Sequence, residues 1–209
     1  QELLLADGLQ TVGGSAALEG TALPLAQAVT LCSDAAVQRD KADGNGISGD
    51  PMEVALLHLA EAVGVEVEDW RTRYPRVDSI PFDSGHRYMA TLHDSDSDSD
   101  RGQWLVVKGA PEAVVPRCDR VLTASGTMAL DAPAWHQQAE QMAARGLRLL
   151  AVAERRTDDG TMAIHDGDGP TALVLIGLVA IIDPPRPEAI AAVAASQRAG
   201  IQIKMITGD

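Results

Sequence analysis

The most constraining feature of this chain is a stretch at 201–206 that is rich in isoleucine, interrupted only by Gln202 and Lys204, and that stops at a Thr-Gly-Asp sequence at 207–209. A buried parallel strand is typically rich in such β-branched apolar residues and delivers polar groups to one edge of its sheet. The preceding residues extend the pattern, with an apolar stretch at 172–182 and an alanine-rich helical pattern at 187–199. Together these segments predict a βαβ unit with parallel strands.

The earlier part of the chain has a different pattern. Residues 87–93 and 103–108 predict two strands, joined as an antiparallel hairpin by the acidic Asp-Ser repeat at 94–100. The clearest helix begins at Asp50, a good N-cap residue that is followed by proline, and another helix is predicted over 132–145. This pattern indicates an α+β domain in which helices flank an antiparallel sheet.

The change from antiparallel to parallel pairing is expected near residue 177, which divides the chain into residues 1–176 and 177–209. An Asp-Pro-Pro sequence at 183–185 lies close to this joint, where the two prolines stiffen the crossing. Because a strand that carries polar groups to an edge comes last in the sequence, we expect a domain followed by a truncated second one.

Composition and charge exclude several classes of function. Seventeen basic against thirty acidic residues give a net charge of −13, which argues against a nucleic-acid surface. The apolar stretch at 172–182 is far shorter than the roughly 20 residues that a membrane-spanning helix needs. Cys32 and Cys118 fit two free thiols in a reducing compartment. We expect a monomer, and neither the histidines nor the Asp-Ser repeat has the spacing of a metal site.

Several residues are candidates for a small-molecule site. Lys108 and Gly109 end a predicted strand, where a small residue lets a flat ligand approach the backbone. Phe82 is the only phenylalanine and lies among polar residues at a strand-to-loop break. Glu53 lies in the first turn of the helix that begins at Asp50, where the helix dipole favours an acidic side chain. Each of these residues also has a structural explanation, as a turn lysine, a core aromatic or a helix cap.

Five motifs follow one another along the chain: Gly49-Asp50-Pro51-Met52-Glu53, Pro81-Phe82-Asp83-Ser84, Lys108-Gly109-Ala110-Pro111-Glu112, Asp183-Pro184-Pro185-Arg186 and Thr207-Gly208-Asp209. In this order they resemble the motifs of P-type cation-transporting ATPases. The resemblance implies a nucleotide-binding (N) domain followed by the first part of an α/β, haloacid-dehalogenase-like phosphorylation (P) domain. Since no Ser-Glu-His-Pro segment occurs, the calcium/sodium-potassium-like (P2-type) branch is favoured over the heavy-metal branch.

The resemblance also implies nucleotide-binding roles for individual residues. Phe82 would stack on adenine, and Glu53 would accept a hydrogen bond from the adenine amino group. Lys108 and Gly109 would lie in the adenosine pocket. Arg87 would approach the nucleotide from a position where the family commonly has a lysine.

Further residues are implied to act nearer the phosphates. Arg148 would help to hold the phosphate chain. Asp183 would pin the turn between the two domains, and Arg186 would help to close them on ATP. Thr207 would lie near the γ-phosphate and Asp209 on the P-domain side of the site.

The activity implied by the resemblance is phosphoryl transfer from ATP, with Mg²⁺, to a catalytic aspartate that drives cation transport. In the family that aspartate lies in an Asp-Lys-Thr-Gly sequence, which does not occur here. We therefore expect a cytoplasmic domain of an integral membrane protein that binds ATP but is inactive alone. Its partners would be ATP and the P, actuator and transmembrane domains of the same polypeptide.

Two other classes of protein remain open from the sequence. A stand-alone phosphatase of the haloacid-dehalogenase type shares the proline-rich turn, helix and Thr-Gly-Asp strand, but it needs an Asp-x-Asp loop at a buried strand end. The match at 94–97 lies in the acidic repeat and not at a buried strand end. A non-catalytic module for nucleotide binding or partner docking is the other alternative.

Overall fold

The computed structural model describes residues 1–12, 20–40, 44–95, 102–157, 164, 169–182 and 187–204. The strands are β1 Glu2–Leu5, β2 Gly8–Thr11, β3 Ala36–Asp40, β4 Gly44–Ser48, β5 Arg76–Ile80, β6 Tyr88–Asp94, β7 Gln103–Gly109, β8 Cys118–Thr123, β9 Gly126–Ala129, β10 Arg148–Thr157 and β11 Leu173–Ile181. The helices are α1 Ala22–Leu31, α2 Pro51–Ala62, α3 Val67–Arg73, α4 Pro111–Val114, α5 Ala132–Ala143 and α6 Pro187–Arg198.

One large sheet organises the described part of the chain. Its strands follow the order β2-β1-β11-β10-β7-β6-β5, and all neighbours along this path are antiparallel. Strand β8 pairs in parallel with β11 and antiparallel with β9. Strands β3 and β4 form a separate antiparallel hairpin. The predicted antiparallel sheet with helices is confirmed.

Helices cover both faces of this sheet. Helices α1, α2 and α3 pack on one face, where they bury Leu25, Leu56 and Trp104 in one apolar cluster. Helix α5 and the segment around α4 pack on the other face, against a cluster that includes Trp135 and Met142. Because both faces are covered, β11 carries no polar side chain, and in β7 Val106 and Val107 are both fully buried although they point to opposite faces.

The start of α2 follows from its sequence, as predicted. Asp50 lies at the N-cap, and its Oδ1 accepts hydrogen bonds from the backbone N–H groups of Met52 at 2.9 Å and Glu53 at 3.4 Å. Pro51 occupies the first helical position, where its missing N–H costs nothing. This cap fixes the direction in which the first turn of α2 presents the Glu53 side chain.

The interpretation of residues 172–182 as the first strand of a parallel βαβ unit is wrong. Strand β11 is a central strand of the antiparallel sheet, because it pairs antiparallel with β10 as far as Ile181 and with β1 as far as Ala180. A boundary between residues 176 and 177 would divide this continuous strand. We therefore propose that the first domain extends through Ile181.

The predicted last strand at 201–206 is not seen over residues 201–204, which pair with no strand of the described chain. Ile201 and Ile203 are 59% and 46% exposed, whereas a buried parallel strand needs neighbours on both sides. The predicted helix at 187–199 is confirmed as α6. Within the described segments, no helix has the length and apolar character needed to span a membrane.

Candidate functional site

A cleft of about 510 Å³ opens where the first turn of α2, the β5–β6 connection and the strands β7 and β10 meet. Its volume lies within the range of roughly 300–1,000 Å³ that is typical of small-molecule sites. The residues that line it are Asp34, Asp50, Met52, Glu53, Leu56, Phe82, Lys108 and Leu150. The fold thus brings together three of the candidate residues, which are Glu53, Phe82 and Lys108.

A buried ion pair joins two of these residues. Lys108 lies in β7 on the same face as Val106, and its Nζ donates to Glu53 Oε1 at 2.5 Å. Only 7% of the Lys108 side chain and 16% of the Glu53 side chain are exposed. A lysine buried to this extent is found almost only with a partner charge. The pair therefore gives the cleft a fixed cation beside a fixed hydrogen-bond acceptor.

The second carboxylate oxygen of Glu53 is also held. Its Oε2 accepts a hydrogen bond from the backbone N–H of Asp34 at 2.9 Å. A carboxylate has about four acceptor positions, so an oxygen that accepts one hydrogen bond can accept another. Glu53 is thus oriented from two sides and can still accept a hydrogen bond from a ligand.

Phe82 supplies an aromatic surface to the cleft. It lies between β5 and β6 and is 63% exposed, so it is not a core residue. The apolar side chains of Met52, Leu56 and Leu150 line the same cleft. An exposed aromatic ring beside apolar neighbours offers a planar ligand a surface for stacking.

Comparison with known families identifies the family of the chain. The family model described as "P-type ATPase, cytoplasmic domain N" matches residues 22–188. The chain belongs to the P-type ATPase family.

Relatives within the P-type ATPases are similar over most of this chain. It is 44% identical over 180 residues to "Cation-transporting ATPase pma1" of Synechocystis, which covers 86% of this chain and 19% of the relative. It is 39% identical to "Probable cation-transporting ATPase F" of Mycobacterium tuberculosis, over 85% of this chain and 19% of the relative. It is 33% identical to "Calcium-transporting ATPase 1" of Lactococcus lactis, over 88% of this chain and 20% of the relative. The chain thus spans about a fifth of the length of these relatives.

In this P-type ATPase chain Gly109 does not line the cleft, although it directly follows Lys108. It lies opposite Tyr88 and Ala151 in the sheet. A Cβ atom at this position would lie 2.6 Å from the Tyr88 Cα and still closer to the carbonyl oxygen of Arg87. The close approach that requires a glycine here is to the neighbouring strand β6.

Gly109→Ala is therefore expected to lower the free energy of unfolding by about 1–3 kcal/mol, since β6 and β7 must separate to admit the methyl group. Denaturant unfolding followed by circular dichroism measures the loss. Gly46→Ala is the matched control, because nothing lies within 4 Å of the added Cβ. Equal stability of Gly109→Ala and the unchanged chain would contradict this explanation.

Arg87 lies outside the cleft and forms an ion pair on the surface. Its Nη1 contacts Glu112 Oε1 at 2.7 Å, and about half of each side chain is exposed. The Arg87 backbone has a φ of 56°, in the left-handed region that is uncommon for residues other than glycine. Exposed pairs of this kind contribute only about 0–1 kcal/mol, so an anion can displace Glu112 at little cost.

Arg148 is the first residue of β10 and is exposed. Side chains alternate along a strand, so Arg148 is on the same face as Leu150. Two residues along a strand correspond to roughly 7 Å. Arg148 therefore lies beyond the edge of the cleft that Leu150 lines.

The remaining candidates cannot be placed. Asp183, Arg186, Thr207 and Asp209 lie outside the described residues. Over the segments that are described, no group of three or more His, Cys, Asp or Glu side chains could hold a metal ion.

Sequence reasoning missed several cleft residues. Leu56 and Met52 lie four residues apart in α2, and Leu150 lies two residues after Arg148 in β10, so helical and strand periodicity could have indicated them. No local signal marks Asp34, which reaches the cleft because the segment after α1 returns to α2.

Proposed function

We propose that this chain is the cytoplasmic nucleotide-binding domain of a cation-transporting P-type ATPase and binds ATP in the cleft. The observation that carries the proposal is the convergence of an exposed aromatic ring, Phe82, with the buried Lys108–Glu53 pair in one cleft. A planar base can stack on Phe82, and a polar ring substituent or an anion can contact the Lys108–Glu53 pair.

In this proposal the adenine ring stacks on Phe82, and its amino group donates to Glu53. Lys108 holds Glu53 in place and contributes a positive charge to the site. Arg148 and Arg87 lie outside the cleft, so they are proposed to meet the phosphates, which extend away from the base. Local cations are needed at this site because the net charge of −13 otherwise repels the nucleotide.

The full reaction needs groups that these residues do not supply. Mg²⁺ would accompany the phosphates of ATP, since it is commonly bound through substrate phosphates and a few carboxylates. We propose that a catalytic aspartate in the P domain of the same polypeptide accepts the γ-phosphoryl group, and that phosphorylation drives cation transport. Asp183 and Arg186 are proposed to act at the hinge, and Thr207 and Asp209 at the P-domain site. The chain alone should show no ATPase activity.

Phe82→Ala tests the proposal. We expect the unchanged chain to bind Mg-ATP with a Kd on the order of 0.1–1 mM, because one stacked base and a few cations barely exceed the cost of association. Loss of stacking costs roughly 1–3 kcal/mol, which raises Kd about 5- to 150-fold. Isothermal titration measures the unchanged chain, and a chemical-shift titration with ATP extends the measurement to the weaker variant.

Met128→Ala is the matched control, because Met128 is similarly exposed at 56% but lies on β9 and not in the cleft. Since Phe82 is largely exposed, both variants should keep the thermal midpoint of the unchanged chain. Unchanged ATP affinity in Phe82→Ala would refute the proposed base site. Hydrolysis of p-nitrophenyl phosphate by the chain would instead favour a phosphatase.

A further inference from the structure

Two arginines hold the backbone that follows α1. Arg71 in α3 uses three nitrogen atoms of its guanidinium: Nε donates to the carbonyl of Thr30 at 3.2 Å, Nη1 to that of Ala35 at 2.9 Å and Nη2 to that of Ser33 at 3.1 Å. The last carbonyls of a helix have no partner within the helix. The planar fork of Arg71 supplies partners at the end of α1 and in the segment after it.

Arg76, the first residue of β5, contacts the same segment. Its Nη2 donates to the carbonyls of Leu31 at 3.1 Å and Ser33 at 2.9 Å, and its Nη1 pairs with Asp34 Oδ1 at 2.6 Å. Residues 30–35 are therefore held at four backbone carbonyls and one carboxylate. We call this arrangement, formed by Arg71 and Arg76 on residues 30–35, the arginine clamp.

The arginine clamp reaches the cleft through one hydrogen bond. The backbone N–H of Asp34 donates to Glu53 Oε2, while Lys108 holds the other oxygen, Oε1. These two contacts together define the plane of the Glu53 carboxylate. With the Lys108 contact alone, the carboxylate can rotate about its bond to the side chain, because terminal torsions of glutamate are soft.

We propose that Arg71 and Arg76 are positioning residues for nucleotide recognition: by fixing the Asp34 N–H they orient Glu53 toward the amino group of adenine. This inference rests on the proposed function, since it assumes that the cleft binds ATP. Arg71 and Arg76 lie outside the cleft, but in this proposal they help the cleft to prefer a purine with an amino group over a purine with a carbonyl at the same position.

The experiment compares ATP with inosine triphosphate, which has a carbonyl in place of the amino group. Arg71→Lys and Arg76→Lys keep the positive charge but lose the planar fork. In these variants Kd for ATP should rise about three- to tenfold, as expected for one weakened hydrogen bond to a charged group, while Kd for inosine triphosphate changes less than about twofold. The preference for ATP therefore falls.

Arg73→Lys is the matched control, because Arg73 lies in the same helix as Arg71 but stacks over the rings of Trp70 and Tyr74. It should keep the preference for ATP. The Asp34 amide proton gives a second readout in ¹H–¹⁵N spectra. It should move upfield in Glu53→Gln and in Arg71→Lys, but not in Arg73→Lys, because a hydrogen bond to a carboxylate shifts it downfield.

The outcomes separate the two proposals. Absence of ATP binding by the unchanged chain would refute the proposed function and this inference with it. Normal ATP binding, with an unchanged preference for ATP in Arg71→Lys and Arg76→Lys, would overturn the inference alone. Equal weakening of both nucleotides would also overturn it, because general loosening of the fold explains that result. An unchanged chemical shift of the Asp34 amide proton in Arg71→Lys would also overturn the inference.

Discussion

Lys108→Met is expected to lower the free energy of unfolding by about 3–5 kcal/mol, because it leaves the carboxylate of Glu53 in a largely buried site without its partner charge. Only 16% of the Glu53 side chain is exposed, so water replaces little of the lost interaction. Methionine matches the length of lysine and fills the same space, so the change isolates the charge. Urea unfolding followed by fluorescence gives the difference.

The double variant Lys108→Met/Glu53→Gln is the control. It removes both charges, and the glutamine oxygen still accepts the Asp34 N–H, so most of the lost stability should return. Both variants should bind ATP more weakly than the unchanged chain. If the double variant is as unstable as Lys108→Met, the buried charge is not the cause.

Acidification is expected to destabilise the domain through His93. This side chain is 2% exposed, its Nδ1 contacts the Tyr74 carbonyl at 2.9 Å, and its Nε2 has no partner among the described residues. Burial lowers the pKa of His93 from 6.5 to about 4. The Tyr74 carbonyl and Asp94 act in the opposite direction, while the charges of Arg76 and Arg71 lower the pKa further.

The folded state binds a proton at His93 less readily than the unfolded chain does, because its pKa is lower in the folded state. Protonation of His93 in acid therefore favours the unfolded chain. The contribution of the neutral His93 to the free energy of unfolding is fully present above pH 6.5 and is lost as the pH falls toward 4. The total loss is roughly 3 kcal/mol. Denaturant unfolding at several pH values in this window measures the loss. His93→Asn, whose amide can still donate to Tyr74, should show a shallower pH dependence, and parallel curves for the two proteins would contradict the role of His93.

Helix starts and strand hairpins were predictable because their causes are local. Asp50 and Pro51 mark the start of α2, and the hairpin of β6 and β7 follows from two apolar runs around an acidic repeat. The short helix α3 was missed because it contains charged residues at four of its seven positions and little apolar periodicity. The β8–β9 hairpin was missed because it is largely exposed, so burial leaves no alternating pattern.

The pairing of β11 was predicted wrongly for a physical reason: its neighbours β1 and β10 are antiparallel, and its one parallel neighbour in the described chain is β8. A continuous apolar run shows that both faces of a strand are covered, and this holds for a central antiparallel strand as well as for a parallel one. Helices lie on both sides of β11, so its sequence contains no information about direction. Its pairing with β1 and β10 depends on residues distant in sequence.

The cleft was partly predictable for similar reasons. Glu53, Phe82 and Lys108 each lie near the start or end of an element, where the sequence changes between apolar residues and polar or glycine residues. Arg71 and Arg76 could not be predicted, because they contact carbonyl groups between 36 and 45 residues earlier in the chain. Carbonyl acceptors leave no trace in the sequence, since every residue has one.

The position of β11 also determines the order in which the domain can fold. Its register places Ala180 beside Glu2, so β1 can pair with β11 only after β11 has been made. During synthesis, Leu3, Leu4 and Leu5 are made before β11 and reach their buried positions beside it only after residue 181 has been made. Closing so long a loop slows folding and leaves apolar strands exposed meanwhile. The nascent chain therefore has a long interval in which chaperones, or misassembly with other chains, compete for the same strands.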